Sequence, residues 1–146
     1  MNIPRLVAAV IVGFILVSGT DYLVHEVWLK PEYQATKELW RTEAEMMARM
    51  PWMFGAQFLF AATFVLIWAK GFAATAGLHT AIVFGVLMGL FHQTYTMVIS
   101  VVMPLPDDLA IKWFCANVAQ VVLLGIVTFF VYKPMTGGGG SEGVNG

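Results

Sequence analysis

The sequence predicts an all-α integral membrane protein, a four-helix bundle with a short amphipathic surface segment between its first two spans. Three observations predict it. The 146 residues are 59% hydrophobic and only 12% charged, about half the charged fraction of ordinary soluble domains, and mean hydropathy is +0.76. Four apolar runs are each long enough to cross the ~30 Å hydrocarbon core of a bilayer. In the third run Gly77, Ala81, Gly85 and Gly89 recur every four residues. Lipid supplies no hydrophobic drive between helices, so close approach at such small residues has to supply the packing.

The first span is expected over residues 6–29. Asn2 to Arg5 followed by an apolar run has the outline of a signal peptide. The apolar pattern continues past Val17-Ser18-Gly19, so an uncleaved span is expected. Pro31 ends it, because a proline ring clashes with the preceding helical turn. Residues 31–50 form the surface segment, read as one or two short helices lying on the membrane. There Thr42 with Glu45 spells a capping box, and Glu45 with Arg49 is a favourable i,i+4 pair.

The second span is expected over 51–70, with Pro51 in its first turn. The third, 73–103, is long for a perpendicular crossing and has to tilt, kink or protrude. Pro104-Leu105-Pro106 breaks it. Asp107 and Asp108 open the fourth span, 107–132, where carboxylates complement free N–H groups and the helix dipole. Lys133 and Pro134 close it. Residues 1–136 thus make one transmembrane domain, and 137–146, with Gly137 to Gly140 and Ser141, read as a flexible glycine-rich tail.

Four spans put both termini on one side. Trp28, Trp52 and Trp113 fall at the opposite side with Trp40 in the surface segment, and Trp68 and Tyr132 fall at the terminal side, as two aromatic belts would. Basic residues divide as Arg5, Lys70 and Lys133 against Lys30, Lys37, Arg41, Arg49 and Lys112. That count favours external termini, whereas the short, singly basic front of the first span favours an internal N-terminus. Cytoplasmic termini are the expectation.

Polar residues inside spans are the informative ones. Asp21 and His25 are four apart on the first span, Gln57 is on the second, His92 on the third beside Gln93, Thr94 and Tyr95, and Asn117 and Gln120 are three apart on the fourth. Counted from the surface-segment side at ~1.5 Å per residue, all lie roughly 5–18 Å deep. One interior cluster of Asp21, His25, Gln57, His92, Asn117 and Gln120 is therefore expected. Its plainest role is interhelical hydrogen bonding. Two histidines on separate helices could instead hold a b-type haem through His25 and His92, although His25 is the shallower of the two. A proton or ion path through Asp21, His25 and His92 is a further reading. Met46, Met50 and Met53 could offer thioethers to cuprous copper, but methionine is more simply a filler here, and no metal site is expected. His79 falls at headgroup level.

Other classes have no support. Net charge is −1, so no basic field recruits nucleic acid. The single cysteine, Cys115, excludes an intrachain disulfide and a multi-cysteine metal site. No phosphate loop, nucleophile elbow or zincin motif is present, so no catalytic residue and no enzyme activity is expected.

The stretch from His25 to Met53, with Tyr33-Gln34-Ala35-Thr36, Leu39-Trp40-Arg41, Glu43-Ala44-Glu45-Met46 and Met50-Pro51-Trp52-Met53, resembles a group of small, uncharacterised bacterial four-span membrane proteins. The resemblance covers most of the chain short of the tail. It implies fold and membrane location and carries no activity, cofactor or catalytic residue. The function expected is a non-catalytic accessory or scaffold subunit, packing with a larger membrane complex, lipid or further copies of itself. The Gly77/Ala81/Gly85/Gly89 stripe and the Ala9/Gly13 pair motivate it. The alternative is a small-ligand, haem b or proton/ion-handling protein built on Asp21, His25 and His92.

Overall fold

The computed structural model describes residues 1–74 and 77–132, and the glycine-rich tail with Lys133 and Pro134 lies outside them. Helix α1, Ile3–Tyr22, starts at Asn2, whose side chain accepts the Arg5 N–H at 3.2 Å. It runs on as a wider π-type helix, Leu23–Trp28, in which the Leu29 N–H reaches back to the Val24 carbonyl at 2.8 Å. The span ends there, just ahead of Pro31. The proline sits in the first turn of a short helix α2, Lys30–Ala35, where its missing N–H costs nothing. A single 3₁₀ turn, Lys37–Leu39, follows.

Helix α3, Glu43–Gly71, begins eight residues before the expected boundary at Pro51. The reason is the capping box: the Thr42 N–H donates to Glu45 Oε2 at 3.0 Å, and the Glu45 N–H donates to Thr42 Oγ1 at 3.4 Å. With the start determined at Thr42, Pro51 lies inside the helix and forfeits one backbone bond, a loss that membrane helices tolerate. Helix α4, Leu78–Val102, is 25 residues long, about 37 Å at 1.5 Å per residue. It is shorter than the expected 73–103. Helix α5, Asp107–Val131, follows Pro106 with Asp107 and Asp108 in its first turn.

The four long helices (α1 counted through Trp28) are each long and apolar enough to cross a membrane. They make an all-α four-helix bundle, with no strand among the described residues. Helix α1 packs against α3 and α5, and α5 packs against α4. The α3 and α4 backbones scarcely meet. Aromatic rings span that gap: Phe84 lies 4.8 Å from Phe64, 5.5 Å from Trp68 and 4.8 Å from Phe72. Trp68 and Tyr132 are buried here, so they serve the interior and not a lipid-facing belt. Trp28 and Trp52 do face outward. Val7, Ile11 and Ile15 on α1, Phe58 and Leu59 on α3, and Leu87 and Phe91 on α4 are exposed apolar side chains, the outer face that a bilayer covers.

The small-residue stripe is closed within the chain. A Cβ added at Gly85 would stand 2.8 Å from Val122 Cα, and one at Gly89 3.2 Å from Val118 Cα. From the other side, a Cβ at Gly125 would stand 2.7 Å from the Ala81 carbonyl oxygen. Ala81, Gly85 and Gly89 thus seat α4 directly on the backbone of α5. Gly77 lies outside this seam: it is exposed, precedes α4 as its cap, and a Cβ there would meet nothing. In α1, Ala9 is buried, and a Cβ on Gly13 would press on Leu124 Cδ1 at 3.0 Å.

Gly85→Ala is expected to destabilise the bundle by about 1–3 kcal/mol, the usual cost of overpacking, because backbone and not a flexible side chain has to yield. Gly77→Ala is expected to leave stability unchanged. Loss of helicity on titration with a denaturing detergent measures both.

Candidate functional site

Asp21 ties three helices together. Its Oδ2 accepts from Gln57 Nε2 of α3 at 2.6 Å, and its Oδ1 accepts from Gln120 Nε2 of α5 at 2.7 Å. Gln57 also accepts from Ser18 Oγ at 2.8 Å. Gln120 Nε2 lies within reach of Thr20 Oγ1 at 2.6 Å and the Val17 carbonyl at 3.1 Å. The Thr20 hydroxyl donates to the Leu16 carbonyl at 2.7 Å, which leaves its oxygen free to accept. Both glutamines are buried and Asp21 is half-buried. Each partner therefore answers the other's need for hydrogen bonds where lipid offers none.

His25 does not join this network, although it stands four residues from Asp21. In a regular α-helix that spacing shares a face. The π-type turn from Leu23 to Trp28 changes the residues per turn and carries His25 elsewhere. Its Nδ1 meets the Tyr33 hydroxyl at 2.5 Å, and Trp113 Nε1 donates to that same oxygen at 2.7 Å. Burial foremost pushes the Tyr33 phenol up to about 12. It therefore keeps its proton at neutral pH and can donate it to His25 Nδ1. Trp40 completes the group, its ring 5.3 Å from Tyr33 and 5.9 Å from Trp113. Trp40 Nε1 donates to Thr36 Oγ1 at 3.0 Å. Beside these rings Lys112 Nζ pairs with Glu32 Oε1 at 2.6 Å and with Asp108 Oδ2 at 3.3 Å. This assembly latches the surface segment onto the end of α1 and the start of α5.

His92 stands in a third place. Its Nδ1 accepts from Gln93 Nε2 at 2.9 Å and its ring packs 4.7 Å from Phe60. Gln93 is fully buried, yet its Oε1 has no hydrogen-bond partner among the described residues. Asn117 turns back on its own helix, donating to the Trp113 carbonyl at 2.9 Å.

Hydrogen bonding divides the six residues read as one cluster. Asp21, Gln57 and Gln120 form a network, His25 belongs to the latch, His92 pairs with Gln93, and Asn117 serves its own backbone. No hydrogen bond or ring contact joins the two histidines of the haem reading among the described residues. Met46 and Met53 of the copper reading are exposed. Sequence reasoning missed Ser18, Thr20, Tyr33 and Trp113 as members. Ser18 lies three residues before Asp21, a helical spacing that could have pointed to it. Tyr33 has no such signal, because its partners are 8 and 80 residues away.

Gln57→Leu and Gln120→Leu each leave one Asp21 oxygen without its donor. Each is expected to cost about 1–3 kcal/mol of stability, with Asp21→Leu in the same background recovering part of it. Chemical unfolding of the single and double variants in detergent checks this.

The latch is expected to depend on pH at both extremes. The hydrogen bond from Lys112 foremost holds the Glu32 carboxyl below its ordinary range. Its stabilisation is whole above that ordinary range and is lost as pH falls through the lowered value. Tyr33 has the opposite sign: its contribution is whole below the usual tyrosine value of about 10 and is lost as pH rises toward about 12. Tryptophan emission is expected to shift at both ends, and Lys112→Met is expected to abolish the acid shift alone.

Compared with protein-family models, curated proteins and solved structures, the chain matches none of them.

Proposed function

We propose that the chain is a non-catalytic integral membrane subunit that packs with a larger membrane complex, lipid or further copies of itself. The observation that carries this reading is the Asp21–Gln57–Gln120 network, in which intramembrane polar groups are spent on holding α1, α3 and α5 in register. Such bonds between membrane helices serve assembly and alignment. The small-residue seam does not supply the partner surface that the sequence suggests. Ala81, Gly85 and Gly89 close onto α5 within the chain, so contacts with a partner fall to the outer apolar faces. Exposed Leu87 and Phe91 on α4 and Phe58 and Leu59 on α3 are of that kind. The reading places the protein in a bacterial inner membrane with both termini in the cytoplasm. The single basic residue ahead of the first span supports this orientation.

Native mass after extraction in mild detergent, read with an absorption spectrum, tests the proposal. The expected result is a colourless species far larger than the 16.1 kDa chain, and a reporter active only in the cytoplasm is expected to work at the C-terminus. A lone chain would overturn the accessory role. A Soret band lost in His25→Ala or His92→Ala would replace it with the haem reading.

A further inference from the structure

Charge is divided unevenly along the bundle axis. Every acidic residue among the described ones falls between Asp21 and Glu45 or at Asp107 and Asp108, toward the surface-segment side. The other end, where α1 begins and α3 and α5 finish, carries Lys70 in the last turn of α3 and no carboxylate among the described residues. Lys70 is exposed and pairs with no described acid.

A cavity of about 380 Å³ lies at this end, within the size range of small-molecule sites. Asn2, Lys70 and Tyr132 bring polar groups to it, and Ala69, Ala73 and Ala74 give it an apolar wall. Asn2 directly precedes α1, Lys70 is the penultimate residue of α3, and Tyr132 directly follows α5. The cavity therefore sits where three spans emerge from the hydrocarbon, at head-group level.

What these groups have left to offer is donors. Asn2 Oδ1 is taken by the Arg5 N–H at 3.2 Å, which orients the amide and leaves its Nδ2 hydrogens to give. The Tyr132 side chain is only 3% exposed. Its oxygen accepts the Asn2 backbone N–H at 3.4 Å, and its own O–H finds no acceptor among the described residues. A buried hydroxyl that cannot donate costs free energy until an acceptor arrives. Lys70 adds three N–H donors and a positive charge. Amide, phenol and ammonium together suit an anion with several oxygens.

We propose that this cavity binds a phosphate group, that of an anionic phospholipid. Phosphate oxygens accept several hydrogen bonds at once, and a lysine serves them as a point charge. The position at head-group level and the alanine wall favour a phosphate carried by a lipid over one free in solution. Basic pockets between membrane helices take anionic head groups in this manner. The inference does not rest on the accessory role: native mass reads that role, and lipid affinity reads this site.

Native mass spectrometry of the full chain in detergent, titrated with phosphatidylglycerol, tests it. The expected result is one tightly held lipid per chain. Phosphatidylcholine, whose head group carries its own cation, is expected to bind about tenfold more weakly. Lys70→Met keeps the apolar stem, and Tyr132→Phe keeps the ring. Each is expected to raise Kd for phosphatidylglycerol about tenfold, the loss of one hydrogen bond to a charged group. Lys37→Met removes the same charge from the surface segment and is expected to leave Kd unchanged. Lys70 is exposed, so its variant reports on the site even if Tyr132→Phe fails to fold. Unaltered affinity in Lys70→Met, equal affinity for the two lipids, or equal weakening in Lys70→Met and Lys37→Met would overturn the proposal. Release of the bound lipid by equimolar inorganic phosphate would overturn the lipid assignment and make the occupant a free phosphate.

Discussion

An ionisable carboxyl group inside an apolar bundle has to be given hydrogen-bond donors by the protein, because lipid has none to give. Asp21 imposes that constraint here, and the arrangement of α1, α3 and α5 follows from it. Gln57 and Gln120 can both reach one carboxylate only if their helices flank α1 at the same depth. The network thereby sets the vertical register of three helices. Ser18 and Thr20 extend it along α1, so that each amide also finds a second partner.

The fourth helix is held by a different force. Helix α4 makes its main contact with α5, through glycines that bring the backbones close enough for dispersion to act along their length. Its relation to α3 is indirect. Phe64, Trp68, Phe72 and Phe84 bridge the two, and the Phe60–His92 ring contact adds a further bridge. The α4 and α5 backbones pack closely, whereas those of α3 and α4 scarcely meet. His92 and Tyr95 on α4 are exposed.

The surface segment is tied down by side chains from three elements. Tyr33 receives the Trp113 indole N–H and meets His25, while Glu32 pairs with Lys112. The π-type turn at the end of α1 makes this possible by delivering His25 to the latch instead of to Asp21. Polar chemistry in this half of the membrane is therefore divided between a register-setting network, a latch and the His92–Gln93 pair.

The sequence by itself determined the class, the four spans, the capping box at Thr42 and the shared level of Asp21, Gln57 and Gln120. Each of these depends on composition or on distance along a helix axis, and a fixed rise per residue makes axial position countable. The tertiary structure decided which polar groups meet. After a π-type turn His25 bonds to the Tyr33 hydroxyl and not to Asp21, and Asn117 found its partner on its own backbone. His92 is exposed although Gly85 and Gly89, seven and three residues before it on the same helix face, are buried. The tertiary structure also decided that the stripe from Ala81 to Gly89 serves α5 and not another chain, and that Trp68 and Tyr132 are interior residues. Rotation about a helix axis and the separation of two helices are set by contacts between residues far apart in the chain. Local spacing, which is what a single sequence displays, does not contain them.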